Sequence, residues 1–264
     1  MEQKHFFFSQ KEWDEAVGLV RRAKPLITDE GLLADVSAKG RANFVTHCDM
    51  AVQAFLQREL AARWPQIGFL GEEAAAAPDF SGPVWVLDPV DGTANLMHHY
   101  RHSAVSLALT YGGQTVCGAV YDPFADELFS ARSGEGASVN GRPIRVSAGV
   151  PLADSLISIG TSPYDRQLAG ANFELFRRLY DRCGDLRRSG SAALDLAYVA
   201  AGRTEGYLER NLKPWDYAAG ILLVREAGGV VSDFAGKAPV LPCNCDILAG
   251  SAELYPSLRE IAAG

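Results

Sequence analysis

Two aspartates, Asp88 and Asp91, stand three residues apart behind the apolar run Val84 to Leu87 and lead directly into Gly92-Thr93. The run reads as a buried strand. Pro89 sets φ near −65° and has no N–H to give, so the sheet ladder is expected to end there. Both carboxylates then sit at a rigid strand end, aimed at one spot, where they repel each other unless a cation lies between them. Glu72 and Glu73, in Gly71-Glu72-Glu73, form a second acidic pair upstream. Asp49 and Asp216 also fall where an apolar element meets a turn, so four acidic clusters could converge on one cleft. Oxygen donors without a His/Cys set suit a hard divalent ion such as Mg2+ rather than zinc. Asp216, behind Pro214-Trp215, is equally readable as a helix N-cap.

The elements that must position these groups can be read from periodicity. Trp13, Ala16, Val17 and Val20 predict a helix over Glu12 to Ile27, and Val52, Phe55, Leu56 and Leu60 predict a second, entered through Thr46 to Asp49. Strands are expected at Ile67–Leu70, Val84–Leu87, Val105–Tyr111, Thr115–Tyr121, Glu127–Ala131 and Ile144–Val146. Gly112-Gly113 and Asn140-Gly141 are turn signals, so this part reads as helices followed by an antiparallel meander. From Leu156 the pattern alternates. Strands are expected at Leu156–Ile159, Gly206–Leu208, Val230-Val231 and Asp246–Ala249, and helices at Ala171–Arg182, after Ser189-Gly190-Ser191, at Trp215–Ala227 and at the C-terminus. The sum is a layered α and β architecture with mixed sheets.

Composition narrows the function classes. The chain has 264 residues, 48% hydrophobic and 22% charged, enough for a sizeable core. A net charge of −7 argues against a surface that coats nucleic acid. The richest apolar run, Ala218 to Val224, is too short to span a membrane, and Phe6-Phe7-Phe8 is too short for a signal-peptide core. Five scattered cysteines fit reduced thiols in a cytoplasmic protein, and Cys243-Asn244-Cys245 lacks the second pair that a zinc site needs. His98 and His102 are four apart but have no partner carboxylate at helical spacing, so they are expected to face solvent or pack. Arg187-Arg188 is expected on a solvated face.

The joint pattern resembles the inositol monophosphatase family of metal-dependent sugar phosphatases. It is carried by Lys39-Gly-Arg-Ala-Asn43-Phe-Val-Thr46-His-Cys-Asp49, Gly71-Glu72-Glu73 and Trp85-Val-Leu-Asp88-Pro-Val-Asp91-Gly92-Thr93-Ala-Asn95. Gly190-Ser191-Ala192-Ala193, Glu209 through Trp215-Asp216 to Gly220, and Glu226-Ala-Gly-Gly229 follow in order, so the likeness covers nearly the whole chain. The resemblance implies an α+β fold, a layered αβαβα sandwich with mixed and antiparallel sheets. It also implies one domain over 1–264, whose N-terminal α+β part (to about 150) and C-terminal α/β part pack together.

By the same resemblance, two or three Mg2+ ions are expected. Glu72, Asp88 and the Val90 carbonyl would hold the first, Asp88, Asp91 and Asp216 the second, and Glu72 a weaker third. Glu73 would support them without ligating. The N–H groups of Gly92 and Thr93 would cradle phosphate, and Asp49 would accept a hydrogen bond from Thr93, which orients the attacking water. Asp91, Ala192 and Glu209 would contact the alcohol portion and Asp216 would also bind substrate, with Thr161 a further candidate for the pocket. Asn43 stands where many relatives carry aspartate.

The implied activity is that of a lithium-sensitive phosphoric monoester hydrolase, a homodimer, acting on inositol monophosphate. Fructose 1,6-bisphosphate, histidinol phosphate and 3′-phosphoadenosine nucleotides are the alternatives for the same chemistry. A regulatory or RNA-associated binding protein on a phosphatase scaffold is the alternative of another class.

Overall fold

The computed structural model describes residues 8–29, 36–40, 43–72 and 78–264, with 36–40 and 43–46 described through their backbone alone. Glu73, Arg41 and the side chains of Lys39 and Asn43 lie outside the described residues.

Helices α1 (Gln10–Arg22), α2 (Lys24–Thr28) and α3 (His47–Arg63) form an outer layer. A capping box starts α1: the Ser9 hydroxyl accepts from Glu12 N at 3.3 Å while Glu12 accepts from Ser9 N at 2.8 Å. The single helix expected over Glu12 to Ile27 is instead divided at Ala23. Pro25 cannot donate within a helix and its ring crowds the carbonyl four residues back, yet it is tolerated in the first turn of a new one. Ahead of α3, strands β1 (Val36–Gly40) and β2 (Asn43–Thr46) form an antiparallel ribbon.

The outer helices pack on a seven-stranded sheet: β3 (Gly68–Gly71), β4 (Pro83–Asp91), β5 (Ala104–Tyr111), β6 (Gln114–Asp122), β7 (Glu127–Arg132), β8 (Gly136–Val139) and β9 (Arg142–Pro143). Its strands neighbour one another in chain order. The expected meander holds from β4 onward, whereas β3 joins β4 in parallel. Both turn signals are hairpins with positive φ at their two central residues, 56° and 74° at Gly112-Gly113 and 48° and 77° at Asn140-Gly141. Ile144 to Val146 is not a strand. Beyond Pro143 the chain leaves the sheet, Val146 N donates to Ala227 O, and Ile144 and Val146 pack into the core between the two sheets.

The second sheet is mixed and runs β11-β10-β12-β14-β13 in space, from β10 (Leu156–Ile159), β11 (Asp185–Arg187), β12 (Gly206–Leu212), β13 (Gly229–Ser232) and β14 (Cys245–Ser251). β11 escaped sequence reading because Asp-Leu-Arg carries no apolar alternation. Five further helices are described: α4 (Thr93–Met97), α5 (Ala169–Tyr180), α6 (Ala192–Ala200), α7 (Pro214–Glu226) and α8 (Tyr255–Ala263). α6 and α7 are largely apolar and lie between the sheets, where Leu194, Leu196, Ile221 and Leu223 meet Val86, Val120 and Ile247. α5 and α8 cover the far face, with Leu175, Leu179 and Leu258 against Ile157 and Leu208. On the other outer face, Trp13, Val20, Val52 and Leu56 meet Trp85 and Leu107. The layers are therefore α-β-α-β-α, as the family resemblance implied. No helix among the described residues is long and apolar enough to cross a membrane.

Candidate active site

β4 carries the centre of the site. Asp88 pairs with Ser106 and Asp91 with Ala104, so Pro89 and Val90 together face Val105 alone. This is a β-bulge, and pairing resumes at Asp91; Pro89 interrupts the ladder instead of ending it, because a bulge needs no donor at that position. The bulge has a consequence for chemistry. Residues three apart on a regular strand point to opposite faces, and the extra residue brings Asp88 and Asp91 back to one side. Val90 N donates to Asp88 Oδ1 at 3.0 Å and closes the turn.

Gly92 follows at φ 91°, where a Cβ would lie 3.1 Å from His102 O and 3.2 Å from Gly190 O, so only glycine fits. Thr93 opens α4. Its Oγ1 lies 2.9 Å from Asp49 Oδ1 and 3.0 Å from Val90 O. Asp49, buried in the first turn of α3, thus reaches the site through Thr93. Glu72 stands just past β3, where its N–H donates to Leu87 O at 3.2 Å. Asp216 is the third residue of α7 and accepts from Lys213 N at 2.7 Å. Asp216 is therefore not the N-cap, a position that Lys213 takes; it accepts the Lys213 N–H from the third position of the helix while its carboxylate joins the cluster.

Asp88, Asp91 and Asp216 present carboxylate oxygens within 4.8 Å of one another. They sit in a cavity of about 140 Å³, lined also by Glu72, Val90, Gly92, Thr93, Ala192 and Glu209. Nine residues expected from sequence line this one cavity; Asp49 and Thr161 do not, and Glu73 lies outside the described residues. Burial, then repulsion from Glu72, Asp91, Asp216 and Asp49, pushes Asp88 well above the usual carboxylate range. Asp216 is raised the same way, by burial and then Asp91. Burial raises Asp91 from 3.8 to about 6, opposed by donors on α6: the Ser191 hydroxyl and Ala193 N, the latter at 2.7 Å. Arg188 is the one cationic side chain lining the cavity among the described residues. An all-oxygen set of clustered carboxylates plus the Val90 carbonyl fits a hard divalent cation, whose charge would offset this repulsion.

Glu209 differs from the aspartates. It lines the cavity from β12, accepting from Tyr207 Oη at 2.5 Å and from Ser162 N at 2.9 Å.

Nine residues of the cavity lining escaped sequence reading, four of them with polar or charged side chains. Ser191 has a legible signal as the N-cap of α6, its hydroxyl accepting from Leu194 N at 3.3 Å, but its bond to Asp91 spans a hundred positions in sequence. Tyr164 and Asp195 arrive through the fold alone. Asp195 is raised to about 8 by burial, with Ser189 and Ser158 as donors. Both arginines are exposed, as expected; Arg187 pairs with Asp185, whereas Arg188 also borders the cavity and donates to Thr161 Oγ1 at 3.2 Å. Thr161 holds Arg188 and is not itself in the lining. The histidines behave as packing or solvent-facing residues: α4 ends at Met97, His98 is exposed, and the His102 ring meets Tyr198 edge-on at 5.7 Å. All five cysteines are free thiols.

Fold and site together place the chain in a known class. It belongs to the inositol monophosphatase family, whose model matches residues 9–263. It is 43% identical over 225 residues to the Nus factor SuhB of Escherichia coli strain K12, covering 84% of each chain. It is 40% identical over 244 residues to the inositol-1-monophosphatase of Rhizobium meliloti strain 1021, covering 91% of each. Among solved structures, the extragenic suppressor protein suhB of Bartonella henselae superposes with a TM-score of 0.90 at 38% identity, covering 96% of this chain and 98% of that one.

Proposed function

We propose that this protein is a Mg2+-dependent phosphomonoesterase that hydrolyses inositol monophosphate to inositol and phosphate. The observation that carries the reading is a single cavity lined by two chemically different sets of groups. Clustered carboxylates and the Gly92-Thr93 turn line it from β4 onward, and a hydrogen-bonded Glu209 lines it from β12. Glu72, Asp88, Asp91, Asp216 and the Val90 carbonyl would hold Mg2+, in two or three sites. Bound Mg2+ supplies a low-pKa water at neutral pH and positive charge opposite the phosphate.

The chain's own groups do the rest. The N–H groups of Gly92 and Thr93 donate to phosphate oxygens at the start of the turn. Thr93 donates its one hydroxyl hydrogen to Asp49, which leaves its lone pairs free to accept a hydrogen bond from the attacking water. That water is thereby aimed at phosphorus, opposite the ester oxygen: its oxygen bonds to phosphorus as the P–O bond to the alcohol breaks, one of its protons passes through Thr93 to Asp49, and the departing alkoxide takes a proton from solvent water. Glu209 accepts from hydroxyls of the alcohol and, with Asp91 and the Ala192 backbone, sets its orientation. The free cysteines support a reducing, cytoplasmic setting, and a homodimer is the assembly that the family resemblance implies.

The test is one panel of inositol 1-phosphate, fructose 1,6-bisphosphate, histidinol phosphate and 3′-phosphoadenosine 5′-phosphate, with and without Mg2+, and with lithium added. Highest kcat/KM on inositol 1-phosphate, dependent on Mg2+ and suppressed by lithium, is expected; a preference for another ester reassigns the substrate. A second reading, a regulatory protein contacting RNA or polymerase on this scaffold, is favoured by the 43% identity to a protein named a Nus factor. Retention of purified polymerase on the immobilised protein would support it as a second role.

A further inference from the structure

The cavity's specificity end is built with unusual constraint around one side chain. Tyr207 and Glu209 are two apart on β12 and so share a face of the strand. Tyr207 is fully buried in the middle of the sheet, paired with Ser158 on β10 and Ala249 on β14, so its ring has no freedom to follow a moving partner. Its hydroxyl donates to Glu209 Oε2 at 2.5 Å, the length of a charge-assisted bond.

The second oxygen is held from the opposite side. Ser162 N donates to Glu209 Oε1 at 2.9 Å, and Ser162 adopts φ 44°, a left-handed conformation that costs a serine energy. Its own hydroxyl donates to Arg210 O at 2.5 Å and ties this turn to β12. Between them lies Gly160. A Cβ there would stand 1.7 Å from Glu209 Oε2 and 1.9 Å from its Cδ, so the carboxylate rests directly on the glycine backbone.

A carboxylate offers about four acceptor positions, two on each oxygen. One per oxygen is used internally, one by Tyr207 and one by Ser162. One remains on each, side by side, which matches two hydroxyls on adjacent carbons. We propose that Tyr207 and Gly160 are positioning residues for substrate selection: they lock Glu209 in the rotamer that offers this pair of acceptors to a vicinal diol, and so restrict the site to phosphate esters of polyols. The proposal rests on the reading of Glu209 as the group that accepts from the substrate's hydroxyls.

The experiment measures kcat/KM for inositol 1-phosphate and for phenyl phosphate, which has no hydroxyl, at saturating Mg2+ in the wild type and in Y207F, G160A and E209Q. Y207F keeps the ring and removes only the donor. It is expected to lower the ratio of the two kcat/KM values about tenfold, through a raised KM for inositol 1-phosphate, as befits loss of one bond to a charged group. G160A forces the carboxylate aside and is expected to lower the ratio further. A purely structural role for Tyr207 would depress both substrates together and leave the ratio at the wild-type value; that result overturns the proposal. If E209Q lowers the ratio while Y207F and G160A do not, the positioning role fails and the reading of Glu209 stands. If E209Q also leaves the ratio unchanged, both fail.

Discussion

The two ends of the cavity solve the problem of a buried carboxylate in opposite ways. At the β4 end, Asp88 accepts from the Val90 N–H and faces Glu72, Asp91, Asp216 and Asp49, all of its own sign. At the β12 end, Glu209 is also raised by burial, but Tyr207, Ser162 N and Arg188 all act to hold it down. The first arrangement is repulsive until positive charge arrives from outside. The second is already satisfied within the protein and has acceptor capacity to spare. A buried acid therefore has no fixed role; its surrounding donors decide whether it calls for a cation or for a hydroxyl.

The largest effect that would test this contrast is loss of a charge at the repulsive end. Asp91→Asn should lower kcat by about a thousandfold or more, on the order of 4 kcal/mol of transition-state stabilisation, with an unchanged fold by circular dichroism. Near-normal turnover would remove the β4 cluster from the reaction. Next, Thr93→Ala should lower kcat by about a hundredfold with little change in KM, since its task is to orient water and not to hold the alcohol. A change in KM alone would move Thr93 to the binding side of the comparison.

Removing divalent ions should expose the repulsion as a pH dependence of stability. Burial lifts Asp91 from 3.8 to about 6 in the folded chain, so between those values the folded state binds more protons than the unfolded. Its stabilising contribution is complete below pH about 4 and is lost as pH rises through about 6. The melting temperature of chelator-treated protein should fall across that window, and added Mg2+ should reverse the fall. A flat profile that Mg2+ does not shift would argue against a cation in the cluster. The smallest effect belongs to the satisfied end: Glu209→Gln should raise KM for inositol 1-phosphate roughly tenfold, because an amide replaces one of two charged acceptors with a donor. A fall in kcat of the size expected for Asp91→Asn would erase the distinction between the ends.

The legibility of each end in the sequence follows from the same difference. Asp88 to Thr93 is contiguous, and its proline, glycine and paired acids mark it without any knowledge of the fold. Even there the geometry was only half readable. Pro89 announces a break in the ladder, but whether pairing stops or resumes depends on β5, whose Ala104 takes up Asp91 again. The β12 end is scattered over Gly160, Ser162, Arg188, Tyr207 and Glu209, and only Glu209 was found, through its place in a family motif. Both arginines of Arg187-Arg188 are exposed, and nothing in the pair says which of the two also borders the cavity.

By itself, the sequence determined the chemistry available to this protein: an oxygen-rich acidic cluster at a glycine turn, apolar helices and strands in sufficient number for a layered fold, and an order of motifs that names the family. Those properties are local or cumulative, set by residue type and spacing. Tertiary structure decided which carboxylates share a cavity, that one β-bulge puts Asp88 and Asp91 on the same side, and which acid is provided with donors. These depend on strands and helices far apart in the chain, such as the bond from Ser191 to Asp91, and hydrogen bonds of that kind exist only once the two sheets have closed on α6 and α7.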